Sequence, residues 1–228
     1  RVYTYAGVVG TGEAYWGAGV PELIDRMKPF VVGENPLDID RLYEHLIQKM
    51  SGEGSIEGAT VTAISGIEVA LHDLAGKLLE IPAYQLLGGK YRDEVRVYCD
   101  CHTEEEADPE ACADEAERVV EELGYDALKF DLDVPSGLEK DRANRHLRPG
   151  EIRQKVDIVE AVTERVKDRA DVAFDCHWSF SANSAERLAA ELEAYDVWWL
   201  EDPVPPENLD VQETVTRSTT TPITAGEN

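Results

Sequence analysis

Val172-Ala173-Phe174-Asp175, Val197-Trp198-Trp199-Leu200-Glu201 and Thr224-Ala225-Gly226-Glu227 each finish on an acid, and the acids fall 26 residues apart both times. Short apolar runs of this kind read as buried strands. The stretches between them, Ser184 to Ala194 and Asn208 to Ser218, carry helical spacing. One strand–helix repeat therefore separates each acid from the next. In a parallel βα barrel this places all three at one height, on the face where the C-terminal strand ends meet. Three converging carboxylates repel one another and take up protons unless a cation neutralises them. A set made only of oxygen suits a hard divalent ion, Mg²⁺ rather than zinc. Asp175, Glu201 and Glu227 are thus expected to be metal ligands. The competing reading is three exposed helix-capping acids; the apolar strand before each acid weighs against it.

The same beat of strand and helix extends upstream. Strands are predicted at Glu94–Asp100, Ala127–Asp131, Val172–Asp175, Val197–Glu201 and Ile223–Glu227, with helices at Asp108–Leu123, Glu151–Lys167, Ser184–Ala194 and Asn208–Ser218. Buried strands alternating with amphipathic helices imply parallel pairing and an α/β fold. The stretch Val134–Gly150 reads as an excursion after the second strand. Residues 1–90 differ in texture. Strands are expected at Arg1–Tyr5 and Val8–Tyr15, and Gly10, Gly12, Gly17 and Gly19 should make the adjoining stretch mobile. Helices follow at Pro21–Phe30, Asp38–Met50 and Thr60–Leu79, the last marked by Ile64, Ile67, Leu71, Leu74 and Leu78. A glycine-rich loop, Ser51–Gly58, separates the latter two.

The 47 acidic residues against 22 basic ones give a net charge of −25. That charge repels phosphate backbones, so no nucleic-acid partner is expected. The acids are interleaved with apolar positions rather than gathered in a tail. An even carboxylate coat suits concentrated salt, where the Debye length shrinks to about 3 Å and self-repulsion is screened; an acidic surface made for a basic partner is the alternative. No uninterrupted apolar run of membrane-spanning length occurs, and the first ten residues lack the form of a signal peptide. Cys99, Cys101, Cys112 and Cys176 match neither a zinc nor a disulfide pattern. Buried free thiols and a reduced, cytoplasmic setting are expected.

Phe174-Asp175-Cys176-His177, Glu201-Asp202-Pro203 and Gly226-Glu227-Asn228 together resemble the enolase superfamily, mandelate racemase/muconate lactonising subgroup. Val8-Val9-Gly10-Thr11-Gly12-Glu13-Ala14, Leu71-His72-Asp73-Leu74-Ala75-Gly76-Lys77 and Leu86-Leu87-Gly88-Gly89-Lys90 extend the likeness over essentially the whole chain. The resemblance implies an α+β capping domain (residues 1–90, without its first strand) and the first five strands of a modified (β/α) barrel (residues 91–228), so the chain is expected to be truncated at both ends. It also implies that Mg²⁺ on Asp175, Glu201 and Glu227 holds a substrate carboxylate while a base removes the adjacent proton.

Racemases and cycloisomerases of this group carry Lys-x-Lys on the second strand, whereas here the run is Lys129-Phe130-Asp131. The missing second lysine argues against a two-base racemase and leaves Lys129 and Asp131 as candidate substrate contacts, Lys129 also as a catalytic residue that tunes the site. His177, two residues after Asp175, resembles the general acid of acid-sugar dehydratases, which protonates the departing hydroxyl. Trp16 is expected to shape the pocket, and the Gly52–Gly58 loop to join a lid. The reading is a Mg²⁺-dependent dehydratase of an aldonate such as gluconate, galactonate or xylonate, forming a 2-keto-3-deoxy acid and, at full length, a homo-oligomer. Its base is expected on later strands. A racemase, epimerase or cycloisomerase of the same superfamily and a non-catalytic barrel fragment are the alternatives.

Overall fold

The computed structural model describes residues 1–15, 17–53, 58–135 and 145–227. They form two compact units, residues 1–95 and 96–227. Among the described residues no helix is long and apolar enough to cross a membrane.

In the first unit β1 (Val2–Tyr3) pairs antiparallel with β2 (Val9–Gly10). Helices α1 (Val20–Met27), α2 (Ile39–Met50), α3 (Gly58–Leu79) and the single turn α4 (Ala83–Leu86) follow. Met27, Leu42, Leu46 and Met50 close on Ile64, Ile67 and Leu71, the stripe predicted for α3. Both strands are shorter than expected, and the reason lies in the glycines. A Cβ on Gly10 would stand 2.1 Å from the carbonyl oxygen of Ala70, and one on Gly12 2.2 Å from that of Gly66. The chain after β2 therefore lies directly on the α3 backbone instead of running on beside β1. Gly10 and Gly12 are contact points, not sources of mobility. Asp73 on α3 adds a clamp: its carboxylate accepts from Thr11 N–H at 2.7 Å and from Lys77 Nζ at 2.6 Å, and Lys77 also donates to the Val9 carbonyl.

The second unit strings β3 (Cys99–Cys101), α5 (Pro109–Arg118), β4 (Ala127–Asp131), α6 (Pro149–Val166), β5 (Asp171–Asp175), α7 (Ala182–Leu192), β6 (Leu200–Glu201), α8 (Leu209–Arg217) and β7 (Ile223–Thr224). The five strands lie in chain order in one sheet, every pair parallel. Side-chain oxygens of Asp108, Ser181 and Asn208 cap α5, α7 and α8 by accepting from backbone N–H groups of the first turn. Beyond Arg118 the predicted helix widens into a π turn, Val119–Leu123, stopped by Gly124 at φ 76°.

Alternation along the strands sorts the residues. Leu128, Phe130, Val172, Phe174 and Leu200 face the helices and join Ile158, Val159, Val162 and Leu188 in the core. Lys129, Asp131, Ala173, Asp175 and Glu201 take the opposite face. The register sets Asp131 opposite Asp175, Asp175 opposite Glu201, and Glu201 opposite Thr224, one transverse row at the C-terminal edge. All four cysteines are free thiols; Cys101, Cys112 and Cys176 are buried. Burial pushes the Cys112 thiol up to about 11. The Val134–Gly150 excursion and the Gly52–Gly58 loop lie partly outside the described residues, and Trp16 wholly so.

Candidate active site

Asp175 closes β5 and its side chain is completely buried. Its Oδ1 accepts from the backbone N–H of His177 at 3.0 Å, and its Oδ2 accepts from Lys129 Nζ at 2.9 Å. Burial alone would raise this carboxyl, but the His177 N–H and the Lys129 ammonium outweigh it and hold the group below its ordinary value. The ammonium also reaches Glu201 Oε1 at 3.4 Å, while Glu201 Oε2 accepts from the Trp199 indole N–H at 2.8 Å. For Lys129 burial opposes charge, and the hydrogen bond to Asp175 with the charges of Asp175 and Glu201 prevails, so its affinity for the proton is raised.

Glu227 does not end a strand as predicted. Pairing in β7 stops at Thr224, and strict alternation from Thr224 would send Glu227 to the helix side. Gly226 at φ 124°, a conformation side chains resist, breaks the alternation. A carboxylate oxygen of Glu227 comes within 4.8 Å of ligand oxygens of Asp175 and Glu201. Oxygens bound to one octahedral Mg²⁺ at about 2.1 Å stand roughly 3–4 Å apart, so the three acids lie close to the span of one coordination shell. Two of the three acids already share a cation, the Lys129 ammonium, and the donors are all hard oxygen. The set suits a divalent metal ion.

His177 and Asp131 lie beside this group. The His177 ring has Nε2 at 3.7 Å from Asp175 Oδ2, Nδ1 at 3.1 Å from Asp133 Oδ1, and Nδ1 at 4.0 Å from Asp131 Oδ1. Burial lowers its proton affinity, but the Asp133 hydrogen bond and the surrounding acids overcome this and raise it. Asp131 is raised by burial, with His177 pulling the other way. His102 stands 3.9 Å from the other Asp131 oxygen and, with Glu106, forms a more exposed grouping.

The rim is cross-braced through the backbone. Cys176 N–H donates to Glu201 O, Trp178 N–H to Asp202 O at 2.7 Å, and Asp202 N–H to Thr224 O. His177, Trp178 and Asp202 all have positive φ, at 40°, 55° and 41°. Asp202 is buried, and its Oδ2 has no well-formed hydrogen bond among the described residues; burial and the Asp175 charge raise its carboxyl against the opposing pull of the Trp178 side chain.

Six of the seven residues singled out from the sequence thus meet in one cluster: Lys129, Asp131, Asp175, His177, Glu201 and Glu227. Trp199 and Asp133 were missed. Trp199 was within reach, since two residues before Glu201 on a strand means the same face. Asp133 was not, because it lies past the end of β4, where alternation ceases.

Residues 111–228 match the family described as enolase C-terminal domain-like, and residues 1–88 match the mandelate racemase/muconate lactonizing enzyme N-terminal domain. The chain belongs to the mandelate racemase/muconate lactonizing enzyme family. It is 79% identical to a D-xylonate dehydratase of Haloferax volcanii over 228 residues, covering all of this chain and 55% of that protein. A D-gluconate dehydratase of Thermoproteus tenax is 35% identical over 89% of this chain and 41% of its own. Among solved structures, a mandelate racemase/muconate lactonizing enzyme-like protein from Rubrobacter xylanophilus superposes with a TM-score of 0.88 at 41% identity, covering 96% of this chain and 60% of that one. A family member from Jannaschia sp. CCS1 gives 0.89 at 31% identity, over 100% and 61%. The chain therefore spans about three fifths or less of the relatives it matches.

Proposed function

We propose that the parent protein of this chain is a Mg²⁺-dependent aldonate dehydratase acting on D-xylonate and releasing a 2-keto-3-deoxy acid. The observation that carries the reading is His177 Nε2 standing 3.7 Å from the carboxylate of Asp175, within the three-acid group. Asp175, Glu201 and Glu227 are the residues that would hold the metal. When bound, it supplies Lewis-acid stabilisation of the negative charge that develops on the substrate carboxylate as the α-proton leaves. Lys129 and Asp131 face the same cluster and contact the substrate. His177 donates a proton to the β-hydroxyl, which departs as water. The base is assigned to the part of the relatives' length that this chain does not span. D-xylonate is preferred because the 79% identical relative carries that name. Asp131, standing two residues after Lys129 where racemases have a second lysine, disfavours two-base racemisation.

The test uses the full-length protein with D-xylonate, D-gluconate and D-galactonate. Mg²⁺-dependent water loss is expected with at least D-xylonate. His177→Asn should cut it by roughly 10²–10⁴, the usual worth of a general acid, while washout of α-deuterium into solvent survives better. Failure of all three aldonates to lose water would sink the dehydratase reading. Equal loss of exchange and elimination in the variant, with Mg²⁺ still bound, would make His177 a base.

A further inference from the structure

Asp133 lies two residues beyond β4 and belongs to neither the acid group nor the substrate contacts. Its Oδ1 is 3.1 Å from His177 Nδ1, and its Oδ2 accepts from Ser179 Oγ at 3.4 Å. The backbone beneath it is fixed, since Leu132 N–H donates to the Asp175 carbonyl at 2.6 Å. The backbone of His177 is fixed too, by its N–H on Asp175 Oδ1. The Trp178 ring stands edge-on to the imidazole, 6.2 Å between centroids. With both ends pinned, the ring's remaining freedom is its flip, and the flip decides which nitrogen faces the acids.

An ionised carboxylate only accepts hydrogen bonds, so the nitrogen it holds must carry a proton. Asp131, at 4.0 Å from the same Nδ1, is beyond hydrogen-bonding distance. We propose that Asp133 is the positioning residue of this site: it holds His177 with Nδ1–H on its own carboxylate and turns Nε2 toward Asp175. The assignment of His177 as the acid rests on the proposed dehydratase function; its orientation by Asp133 does not. In the elimination the ring acts as the imidazolium, protonated at both nitrogens: its Nε2–H bond breaks and that proton joins the β-hydroxyl oxygen. The oxygen takes the C–O electron pair and leaves as water. The α-carbon electron pair becomes the new double bond, and the Nδ1 proton stays on the ring.

The experiment takes full-length protein carrying ¹⁵N-labelled histidine, with the His177 signals assigned from the His177→Asn spectrum. In the wild type, neutral His177 is expected to be protonated at Nδ1 and bare at Nε2. Asp133→Ala should mix the two tautomers and lower the dehydration kcat roughly ten- to a hundred-fold, the loss seen when carboxylate partners that orient metal-ligating histidines are removed, with KM nearly constant. Asp133→Asn keeps an oxygen acceptor in place and should recover part of both. A wild-type ring protonated at Nε2 overturns the proposal without any variant, and so settles it even if Asp133→Ala fails to fold. A tautomer ratio unmoved in a folded Asp133→Ala protein overturns it too. The expected spectra without any aldonate turnover would support the positioning role and sink the dehydratase reading.

Discussion

Lys129 holds its charge where a lysine is costly, mostly buried and between two carboxylates. Without a metal it is the group that keeps Asp175 and Glu201 from repelling each other. Removing one partner of a buried ion pair leaves an uncompensated charge, at a cost of about 3 kcal/mol. Lys129→Met in metal-stripped full-length protein should therefore lower the melting temperature. Added Mg²⁺ should then stabilise the variant more than the wild type, since no ammonium has to be displaced from the acids. Scanning calorimetry with and without Mg²⁺ checks both; an unchanged melting temperature in the stripped variant would mean that Asp175 simply takes up a proton. Asp175 and Glu201 were legible in the sequence because strand alternation and a 26-residue repeat both survive in this part of the chain, and Lys129 because Lys129-Phe130-Asp131 stands where the family's Lys-x-Lys is expected. Glu227 was found by the repeat although alternation alone would have misplaced it. Nothing in the spacing marked Asp133, whose role depends on where a loop carries it after the strand has ended.

At the scale of elements, the helices and the strands β4 and β5 were read closely, whereas β1, β2, β3, β6 and β7 are shorter than expected. The apolar stripe of α3 spans twenty-two residues and announces itself. The strands β6 and β7 have two paired residues each, too few for period-two alternation to fix an end. Hydrogen bonds from Trp198 N–H to Val172 O and from Phe174 N–H to Trp199 O show the β5–β6 contact reaching further back than the regular ladder. The β2–α3 contact was misread outright, because a glycine that permits close approach looks in sequence like one that permits motion. It yields a direct test. Gly10→Ala forces a methyl group to 2.1 Å from the Ala70 carbonyl and should destabilise the first unit by roughly 1–3 kcal/mol, the usual cost of overpacking. Gly52→Ala meets nothing within 4 Å among the described residues and should be close to neutral. Urea unfolding of the two variants compares them; equal midpoints would show that β2 does not rest on α3.

Across the whole molecule the charge is spent unevenly. Arg165 reaches Glu110, Asp114 and Glu117, and Arg169 reaches Glu117 and Glu121, so two arginines of the α6 end serve five contacts to α5 and its π turn. With 47 acids and 22 bases, more than half of the carboxylates have no basic residue to match them. Screening weakens the attractive pairs as well as the repulsion, but exposed pairs contribute little and the unmatched excess dominates. Thermal stability of the full-length protein should rise from 0.1 M toward roughly 2 M KCl as the Debye length falls below about 3 Å. A melting temperature that stays flat or drops over that range would defeat salt adaptation and favour a surface made for a basic partner. The acidity was visible from composition alone; its concentration of arginines at one helix pair was not.

Three residues at the rim, His177, Trp178 and Asp202, sit in left-handed backbone at a cost of about 1 kcal/mol or more each, and the two loops that contain them are tied through Trp178 N–H and Asp202 O. A change in either loop must satisfy both at once, so few mutational steps there leave a working rim. Such an edge is expected to change slowly in evolution. Lineages that acquire new substrates on this architecture would be channelled into altering segments other than these two loops, and ancestral reconstructions should find the loops after β5 and β6 the slowest to diverge.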